Sequence, residues 1–289
     1  MIATEQSPIS LPADVFKLIR DMLYDHCGVW LDDESKYFVE GRLQETLRRR
    51  RFTSFKDLYY YLKYDARKTE EFSAVVDLLT IHETYFFRED HQLHALTREI
   101  LPELMKQRED RTLRIWSAGC STGEEVYSIA MLLAEQPSLG DWRVEISGSD
   151  ISQRVLETAR RGVYPQSAFR TTPRELQARY FHQDEGGYRI DDSIKRMVNF
   201  FSFNLAETDR AVIIPKMDVI FCRNVIIYFD LPVKKRVVEM FWQRLRPDGY
   251  LLLGHSESLM NITTVFHLCH LRHDIVYQKK ERSGGRSES

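Results

Sequence analysis

Apolar side chains in the first 80 residues recur at every third or fourth position, which is the period of an amphipathic helix. Phe16, Ile19 and Leu23 define one such face, which follows Pro12 and ends at Gly28. The same spacing predicts three further helices, which begin near Asp33, after a capping Ser54 and at Glu70. Because no strand pattern interrupts them, residues 1–80 are predicted to form a small all-α domain.

The pattern changes after residue 80. Residues 81–108 form a connecting segment with a helix from His91 to Gln107, in which Pro102 predicts a kink or break. Over residues 109–280, short apolar runs of strand length alternate with helical stretches. This alternation predicts an α/β domain whose mostly parallel sheet carries helices on both faces. The runs begin at Leu113, Arg143, Val198, Asp218 and Tyr250. Pro247-Asp-Gly249 is predicted to separate the last of these strands from a helix that spans Val233 to Leu245.

Two stretches of the second domain depart from this rhythm. Residues 163–197 contain Pro165, Pro173 and the pair Gly186-Gly187, which predict a small β-subdomain with a hairpin, inserted beside the main sheet. Residues 264–277 predict a final hairpin. The tail, residues 281–289, is polar and is expected to be disordered.

Composition narrows the function classes. Lys and Arg total 41 against 43 for Asp and Glu, so no global basic field favours bulk nucleic-acid binding. The four cysteines form no C-x-x-C pair, and neither a signal peptide nor a membrane-spanning apolar run is evident. We therefore expect a cytoplasmic protein with free thiols and no membrane insertion. His267, His270 and His273 alternate faces of a predicted strand, so no metal site is expected.

The segment from Ile115 to Glu125, Ile-Trp-Ser-Ala-Gly-Cys-Ser-Thr-Gly-Glu-Glu, predicts a strand, a glycine loop and a helix. Glycines let backbone approach a ligand, and ligands of open parallel sheets lie beyond the carboxyl ends of the strands. The segment matches neither the G-x-G-x-x-G dinucleotide pattern nor the P-loop, and its acidic pair Glu124-Glu125 disfavours a pyrophosphate.

Asp150 ends the next predicted strand, where a carboxylate accepts hydrogen bonds from a ribose. A nucleoside without phosphate and with a positive sulfonium is S-adenosylmethionine. The alternative is an ordinary tight turn in which Asp150 caps the helix that begins near Ser152.

A third element, Phe221-Cys-Arg-Asn-Val-Ile-Ile-Tyr-Phe229, places Arg223 and Asn224 where another parallel strand ends. It lacks the Pro-Pro-aromatic turn with which amino-group methyltransferases hold an amine. Methylation of adenine or of an amide nitrogen is therefore disfavoured.

Five motifs in this order resemble the CheR-type chemoreceptor methyltransferases, and the resemblance covers nearly the whole chain. The motifs are Thr84-Tyr-Phe-Phe-Arg-Glu89, Ser117-Ala-Gly-Cys-Ser-Thr-Gly-Glu-Glu125, Ser149-Asp-Ile151, Cys222-Arg-Asn-Val-Ile-Ile-Tyr-Phe229 and Gly254-His-Ser-Glu257. The resemblance implies a helical domain followed by a Rossmann-like methyltransferase domain with an inserted β-subdomain. It also implies methyl transfer from S-adenosylmethionine to glutamates on cytoplasmic helices of chemoreceptors, with S-adenosylhomocysteine as the product.

The resemblance also implies roles for single residues. The residues expected to bind the cofactor are His82, Thr84, Arg88, Glu125, Asp150, Asn204, Leu205, Arg223 and Asn224. His82 stands where the family usually has Asn. Arg88 and Tyr228 are the candidates for orienting the acceptor carboxylate; apart from the resemblance, Arg88 reads as a surface cation and Tyr228 as an interior aromatic residue.

A run of arginines at the end of the second predicted helix is the candidate receptor-binding surface. Its members are Arg42, Arg48, Arg49, Arg50 and Arg51. An arginine face suits a glutamate-rich partner, although cations also favour a helix C-terminus for purely local reasons. The turn Gln183-Asp-Glu-Gly-Gly-Tyr188 is short, so we expect no tethering to a receptor's C-terminal pentapeptide through the β-subdomain.

Two other function classes compete with this interpretation. One is a catalytically inactive adapter that binds S-adenosylmethionine and docks on receptors. The other is a nucleic-acid methyltransferase, which only the arginine run supports.

Overall fold

The chain divides into two compact units in a computed structural model that describes residues 8–65, 68–80 and 83–280, without the side chains of residues 68 and 69. The first unit contains the described residues up to 80 together with Tyr228–Asp230. The second contains the described residues of 83–227 and 231–280. His82 and the tail 281–289, both of which carried predictions, lie outside the described residues.

The first unit is built from four α-helices, as the apolar spacing predicts. They are α1 (Ala13–Cys27), α2 (Lys36–Arg50), α3 (Phe55–Tyr64) and α4 (Lys68–Leu79). Gly28 ends α1 in the left-handed conformation, and Ser54 caps α3 by accepting the Asp57 N–H. A short 3-10 turn, Asp33–Ser35, precedes α2. The all-α class predicted for this part is confirmed.

The core of this unit consists of the side chains that the helical spacing selects. Phe16, Ile19, Leu23, Val39, Leu43, Leu47, Phe55, Leu58, Leu62, Val75, Val76 and Leu79 are buried. Burial of these apolar side chains stabilises the unit at about 25 cal/mol per Å² of surface removed from water. Phe72 of α4 is half-buried.

The second unit begins with a helical stretch that changes register at its centre. It comprises α5 (Asp90–Ala95), a π-helical turn (Leu96–Ile100) and α6 (Leu101–Gln107). Pro102 lies in the first turn of α6, where its missing N–H is tolerated. The predicted interruption is therefore accommodated as a π turn immediately before the proline.

A seven-stranded sheet forms the centre of this unit. Its strands are β1 (Thr112–Ala118), β2 (Arg143–Asp150), β6 (Val198–Ser202), β7 (Met217–Cys222), β8 (Leu245–Leu253), β9 (His267–His270) and β10 (Ile275–Gln278). The order is β6-β2-β1-β7-β8-β10-β9. The first five strands run parallel, whereas β10 is antiparallel to both β8 and β9. The carboxyl ends of β1, β2, β6 and β7 therefore meet at one edge.

Helices alternate with these strands, and a smaller sheet is inserted. The helices are α7 (Glu124–Ala134), α8 (Gln153–Arg161), α9 (Arg174–Tyr180), α10 (Asp192–Lys195) and α11 (Leu231–Arg244). The insertion contains β3 (Val163–Tyr164), β4 (Phe181–Asp184) and β5 (Gly187–Ile190) in the order β3-β5-β4. The predicted hairpin at Gly186-Gly187 is confirmed. The exact domain limits at 80, 108 and 280 stay a prediction.

One local prediction is wrong. Pro247-Asp-Gly249 was expected to separate helix from strand, but β8 begins at Leu245 and contains all three residues. Met217 pairs with Leu245 and Val219 with Tyr250, so Arg246–Gly249 form a bulge beside β7. The Gly249 Cα lies so close to the Asp218 carbonyl oxygen that a Cβ would approach it to 2.9 Å, which explains the glycine.

Candidate cofactor site

The loop 119–123 connects β1 to α7 at the carboxyl edge of the sheet. The N–H groups of Gly119 and Cys120 both donate to the Ser149 carbonyl oxygen at 2.8 Å. Gly119, Ser121 and Gly123 have φ angles of 82°, 49° and 94°, in the left-handed region. The loop is therefore folded tightly against the end of β2, at the edge where ligands of open parallel sheets lie.

The glycines of this loop are required by close contacts as well as by conformation. A Cβ on Gly119 would lie 2.4 Å from Val225 Cγ2, and one on Gly123 would lie 2.9 Å from Ala159 Cβ. Carbon atoms that are not bonded to each other do not approach this closely, so a side chain at either position would displace a neighbouring segment.

Asp150, the last residue of β2, is fixed in orientation by this loop. Its Oδ2 accepts the Ser121 N–H at 2.9 Å, and its Oδ1 accepts the Ser152 N–H at 3.0 Å. The cap of α8 is Ser152, whose hydroxyl oxygen accepts the Val155 N–H at 3.2 Å. Asp150 therefore does not serve as the helix cap, and its carboxylate joins the ends of β1 and β2 at the sheet edge.

The acidic pair at the start of α7 separates into two different groups. Glu124 is 4% exposed and accepts the Thr122 hydroxyl at 2.7 Å. Burial raises its pKa from 4.5 to about 7. Glu125 instead accepts the Ser117 hydroxyl at 2.7 Å and the Arg223 guanidinium at 3.0 Å. Only Glu125 belongs to the polar network at the edge, which the sequence alone did not distinguish.

Arg223 is the buried centre of that network. Its Nη1 donates to Glu125, and its Nη2 donates to the Arg88 carbonyl oxygen at 2.5 Å and to Glu89 Oε2 at 3.1 Å. Two carboxylates thus share one guanidinium. Partial burial acts to raise the pKa of Glu89, but Arg223 and the His255 N–H outweigh it and keep that pKa below its ordinary value. Arg223 Nε is buried and has no hydrogen-bond acceptor among the described residues.

The segment before α5 meets this network through its backbone. The Arg88 side chain donates to the Glu83 carbonyl oxygen at 2.8 Å and lies 5.8 Å from the Tyr85 ring centroid. Thr84 is half-buried in the same segment. The structure thus brings the Arg88 backbone to Arg223, while the Arg88 guanidinium contacts its own segment. The predicted cofactor contacts of both side chains stay predictions.

The segment after β6 lies beside Asp150. Phe203 N–H donates to the Asp150 carbonyl oxygen at 3.0 Å, and the next residues are Asn204 and the buried Leu205. Asn204 accepts the Ala206 N–H at 3.1 Å and donates to Glu207 at 3.2 Å. Asn204 and Leu205, both expected to bind the cofactor, therefore follow directly on a backbone contact with Asp150, the residue expected to bind the ribose.

The loop after β7 carries the remaining predicted residues. Asn224 has a φ of 59°, and its N–H donates to Glu257 at 2.8 Å. Tyr228 is half-buried and belongs to the first unit, in which its carbonyl oxygen accepts the Trp30 N–H at 2.8 Å. Its catalytic role stays a prediction.

Sequence reasoning assigned no role to Glu89 or Glu257, although both lie in the quoted motifs. Glu89 is separated from Arg223 by 134 residues and Glu257 from Asn224 by 33. The only available signal was their position at the ends of two motifs.

The candidate receptor-binding arginines lie in the first unit, and two of them have an internal partner. Arg49 donates to Glu71 at 2.7 Å, and Arg50 also pairs with that carboxylate, which is buried. Both side chains thus have a structural role in joining α2 to α4. Arg42, Arg48 and Arg51 are exposed, so they are the members whose position best suits a partner.

Comparison with known proteins follows the same division. Residues 14–80 match the family model described as "CheR methyltransferase, all-alpha domain", and residues 82–275 match "CheR methyltransferase, SAM binding domain". The chain belongs to the CheR methyltransferase family. The site described above thus belongs to an S-adenosylmethionine-dependent methyltransferase.

Individual relatives agree along nearly the full chain. A Vibrio cholerae protein named chemotaxis protein methyltransferase 2 is 37% identical over 94% of this chain and 96% of its own length. A Borreliella burgdorferi chemotaxis protein methyltransferase is 34% identical over 87% of this chain and 90% of its own. A Pseudomonas aeruginosa protein, chemotaxis protein methyltransferase 2, is 38% identical over 85% and 87%. These likenesses support S-adenosylmethionine-dependent methylation in chemotaxis.

The residues at the edge fit this cofactor. Gly119 and Gly123 supply the positive φ angles that fold the loop over the end of β2, and Asp150 presents a carboxylate held in a fixed orientation. Glu89 and Glu125 give the cluster more carboxylates than Arg223 balances, which suits a ligand with positive sulfonium and ammonium groups. The unpaired Arg223 Nε supplies a donor. Among the described residues, no group of three His, Cys, Asp or Glu side chains is arranged to hold a metal, and no helix is long and apolar enough to cross a membrane.

Proposed function

We propose that this methyltransferase esterifies glutamate side chains on the cytoplasmic helices of chemoreceptors. The observation that carries the proposal is the edge cluster of Arg223, Glu89 and Glu125 beside the glycine loop, in a chain whose relatives are named chemotaxis protein methyltransferases. A cytoplasmic location follows from that substrate.

A carboxylate acceptor matches the residues at the site. Bound S-adenosylmethionine supplies a methyl group that its sulfonium already activates. Glutamate is ionised at pH 7, with an ordinary pKa of about 4.3, so the protein needs no general base. The loop after β7 reads Cys222-Arg-Asn-Val and carries no Pro-Pro-aromatic turn of the kind that holds an amine.

The residues of this chain would act by orientation and by exclusion of water. Holding two reactants in line contributes on the order of 7–11 kcal/mol. Asp150 and Glu125 would hold the nucleoside and the charged end of the cofactor, and the adjacent Asn204 and Leu205 would contact its base. Arg88 would orient the acceptor carboxylate, and Tyr228 would donate its hydroxyl to the second carboxylate oxygen. A strong ion pair would weaken the nucleophile, so Arg88 would orient more than neutralise.

Receptor recognition is proposed for the exposed arginines of the first unit. Arg42 and Arg48 project from α2, and a field of this sign attracts a glutamate-rich helix and fixes its orientation. Replacing both with alanine should lower kcat/KM for receptor about tenfold at low salt and flatten its salt dependence. An unchanged salt profile would remove the electrostatic role. We propose no tethering to a receptor's C-terminal pentapeptide through the β-subdomain, because the turn Gln183–Tyr188 is short.

The test is incorporation of tritiated methyl into a purified receptor fragment, followed by mild base. A methyl ester releases volatile methanol in base, whereas an amide or amine retains the label. Arg88→Ala should fold but should no longer incorporate methyl groups, because it lacks the guanidinium that orients the acceptor carboxylate. Arg170→Ala is the matched control, since Arg170 also contacts Glu83 and Tyr85 but lies outside the motif. Base-stable label contradicts the ester, and turnover by Arg88→Ala at the wild-type rate contradicts its role. Nucleoside binding without any incorporation supports the adapter.

A further inference from the structure

We infer that Glu257 is a positioning residue that holds the loop 223–227 against the glycine loop 119–123 and so sets the width of the cofactor pocket. This inference rests on the proposed use of that pocket. Glu257 is not among the residues predicted to touch the cofactor or the acceptor.

Four backbone N–H groups converge on the Glu257 carboxylate. Oε2 accepts from Asn224 at 2.8 Å and from Gly254 at 2.7 Å. Oε1 accepts from Val225 at 2.9 Å and from Ile227 at 3.1 Å. Three of these donors belong to the five-residue loop after β7, and the fourth to the end of β8. One side chain thus accepts three of the backbone donors of this loop, which would otherwise need another partner.

The electrostatic setting makes this contact specific for a carboxylate. Burial raises the pKa of Glu257, and the N–H groups of Gly254, Asn224, Ile227 and Val225 act in the opposite direction. A carboxylate has only acceptors, and four donors face it. A glutamine has nearly the same shape, but its NH2 group would face two backbone N–H groups. Donor would then face donor, so these two contacts would become repulsive.

The loop that Glu257 holds is the one that limits the glycine loop. A Cβ on Gly119 would lie only 2.4 Å from Val225 Cγ2. Asn224, in the left-handed conformation, lies beside Gly254, where a Cβ would be 2.8 Å from both its N and its Nδ2. Val225 is therefore fixed from one side by Glu257 and from the other by Gly119. A shift of the loop changes the space beside Gly119 and moves Asn224 with it.

The test compares Glu257→Gln with Glu99→Gln. Glu99 is the matched control, because it also accepts two backbone N–H groups, from Arg272 at 2.8 Å and His273 at 3.2 Å, but holds no residue of the site. The dissociation constant of S-adenosylhomocysteine is measured by calorimetry, KM and kcat by methyl transfer, and folding by thermal unfolding. Glu257→Gln should weaken nucleoside binding and raise KM for S-adenosylmethionine about tenfold, a change of about 1.4 kcal/mol. Glu99→Gln should leave both unchanged.

A second variant keeps the inference testable if Glu257→Gln does not fold. Gly254→Ala keeps the charge of the carboxylate, but its Cβ would lie 2.8 Å from Asn224 N and 2.9 Å from Glu257 Oε2. It therefore disturbs the same contact between Glu257 and the loop and should produce the same loss of nucleoside affinity. Folded Glu257→Gln and Gly254→Ala proteins that bind with wild-type affinity would overturn the inference. Failure of the wild type to bind the nucleoside would instead contradict the proposed function, so the two failures are distinguishable.

Discussion

Replacing Gly119 with alanine tests how closely the loop after β7 covers the glycine loop. The new Cβ would lie 2.4 Å from Val225 Cγ2 and 3.3 Å from Cγ1, and the residue would keep a φ of 82°. Left-handed backbone costs a residue with a Cβ about 1–2 kcal/mol. Overpacking typically costs a further 1–3 kcal/mol. We therefore expect the free energy of unfolding to fall by about 2–5 kcal/mol in Gly119→Ala.

The two contributions separate in a double-mutant cycle with Val225→Ala. That change removes both γ carbons and leaves only Val225 Cβ, at 3.4 Å from the new side chain, which is an ordinary contact. In this background, Gly119→Ala should cost only the conformational part, about 1–2 kcal/mol. The coupling free energy should therefore be about 1–3 kcal/mol in favour of the double variant.

Urea unfolding of the four proteins measures the cycle, and a calorimetric titration with S-adenosylhomocysteine accompanies it. We expect Gly119→Ala to lose nucleoside affinity and the added Val225→Ala to restore part of it. Additive free energies of unfolding, within about 0.5 kcal/mol, would refute the reasoning, because they would mean that Val225 does not limit Gly119.

Two further predictions concern buried carboxylates. Asp218→Asn should lower the free energy of unfolding by about 3–5 kcal/mol, since it leaves buried Arg108, 2.6 Å away, without its charged partner. Nucleoside affinity should not change, because Asp218 lies near the start of β7 and the site at its end. The stability of Glu124→Gln relative to the wild type should increase as the pH rises from 4.5 to about 7. Above pH 7 the difference should stay constant at about 3 kcal/mol.

The sign of the Glu124 effect follows from its raised pKa. The folded state holds the proton up to about pH 7, whereas the unfolded chain releases it near 4.5, so the wild type loses stability between these values. Glutamine does not titrate and avoids this loss. Thermal unfolding of both proteins at pH 5 and pH 8 measures the difference in stability between Glu124→Gln and the wild type. The same difference at both pH values would contradict the prediction. For Asp218→Asn, a free energy of unfolding within 1 kcal/mol of the wild type would be the contrary result.

Local patterns were sufficient for most of the elements. The spacing of Phe16, Ile19 and Leu23 predicts α1 because each helix must bury one face, and Gly28 ends it by adopting a positive φ. The hydroxyl of Ser54 caps α3 for an equally local reason. The β8 bulge was not predictable in this way, since Pro247-Asp-Gly249 carries a turn signal that pairing with β7 overrides.

The contacts of the site depend on segments far apart in the chain. Motif order indicated Glu125, Asp150 and Arg223, but no spacing rule indicates that Arg223 binds Glu89 across 134 residues. The arginine run shows the same limit. Its charge was evident from the sequence, but the use of Arg49 and Arg50 to hold Glu71 depends on how α4 packs on α2.

We propose that the carboxyl edge of β1 and β2 binds the nucleoside of S-adenosylmethionine through Asp150. Calorimetric titration of S-adenosylhomocysteine into wild type and Asp150→Asn tests it most directly. Asp191→Asn is the matched control, because Asp191 also accepts the N–H two residues ahead, at 2.7 Å, but lies in the insertion. Hydrogen bonds to a charged group contribute about 1.5–3 kcal/mol, so Asp150→Asn should bind about 10–100-fold more weakly while Asp191→Asn binds like the wild type. Equal affinity of Asp150→Asn and the wild type, or no binding by the wild type, would contradict the account.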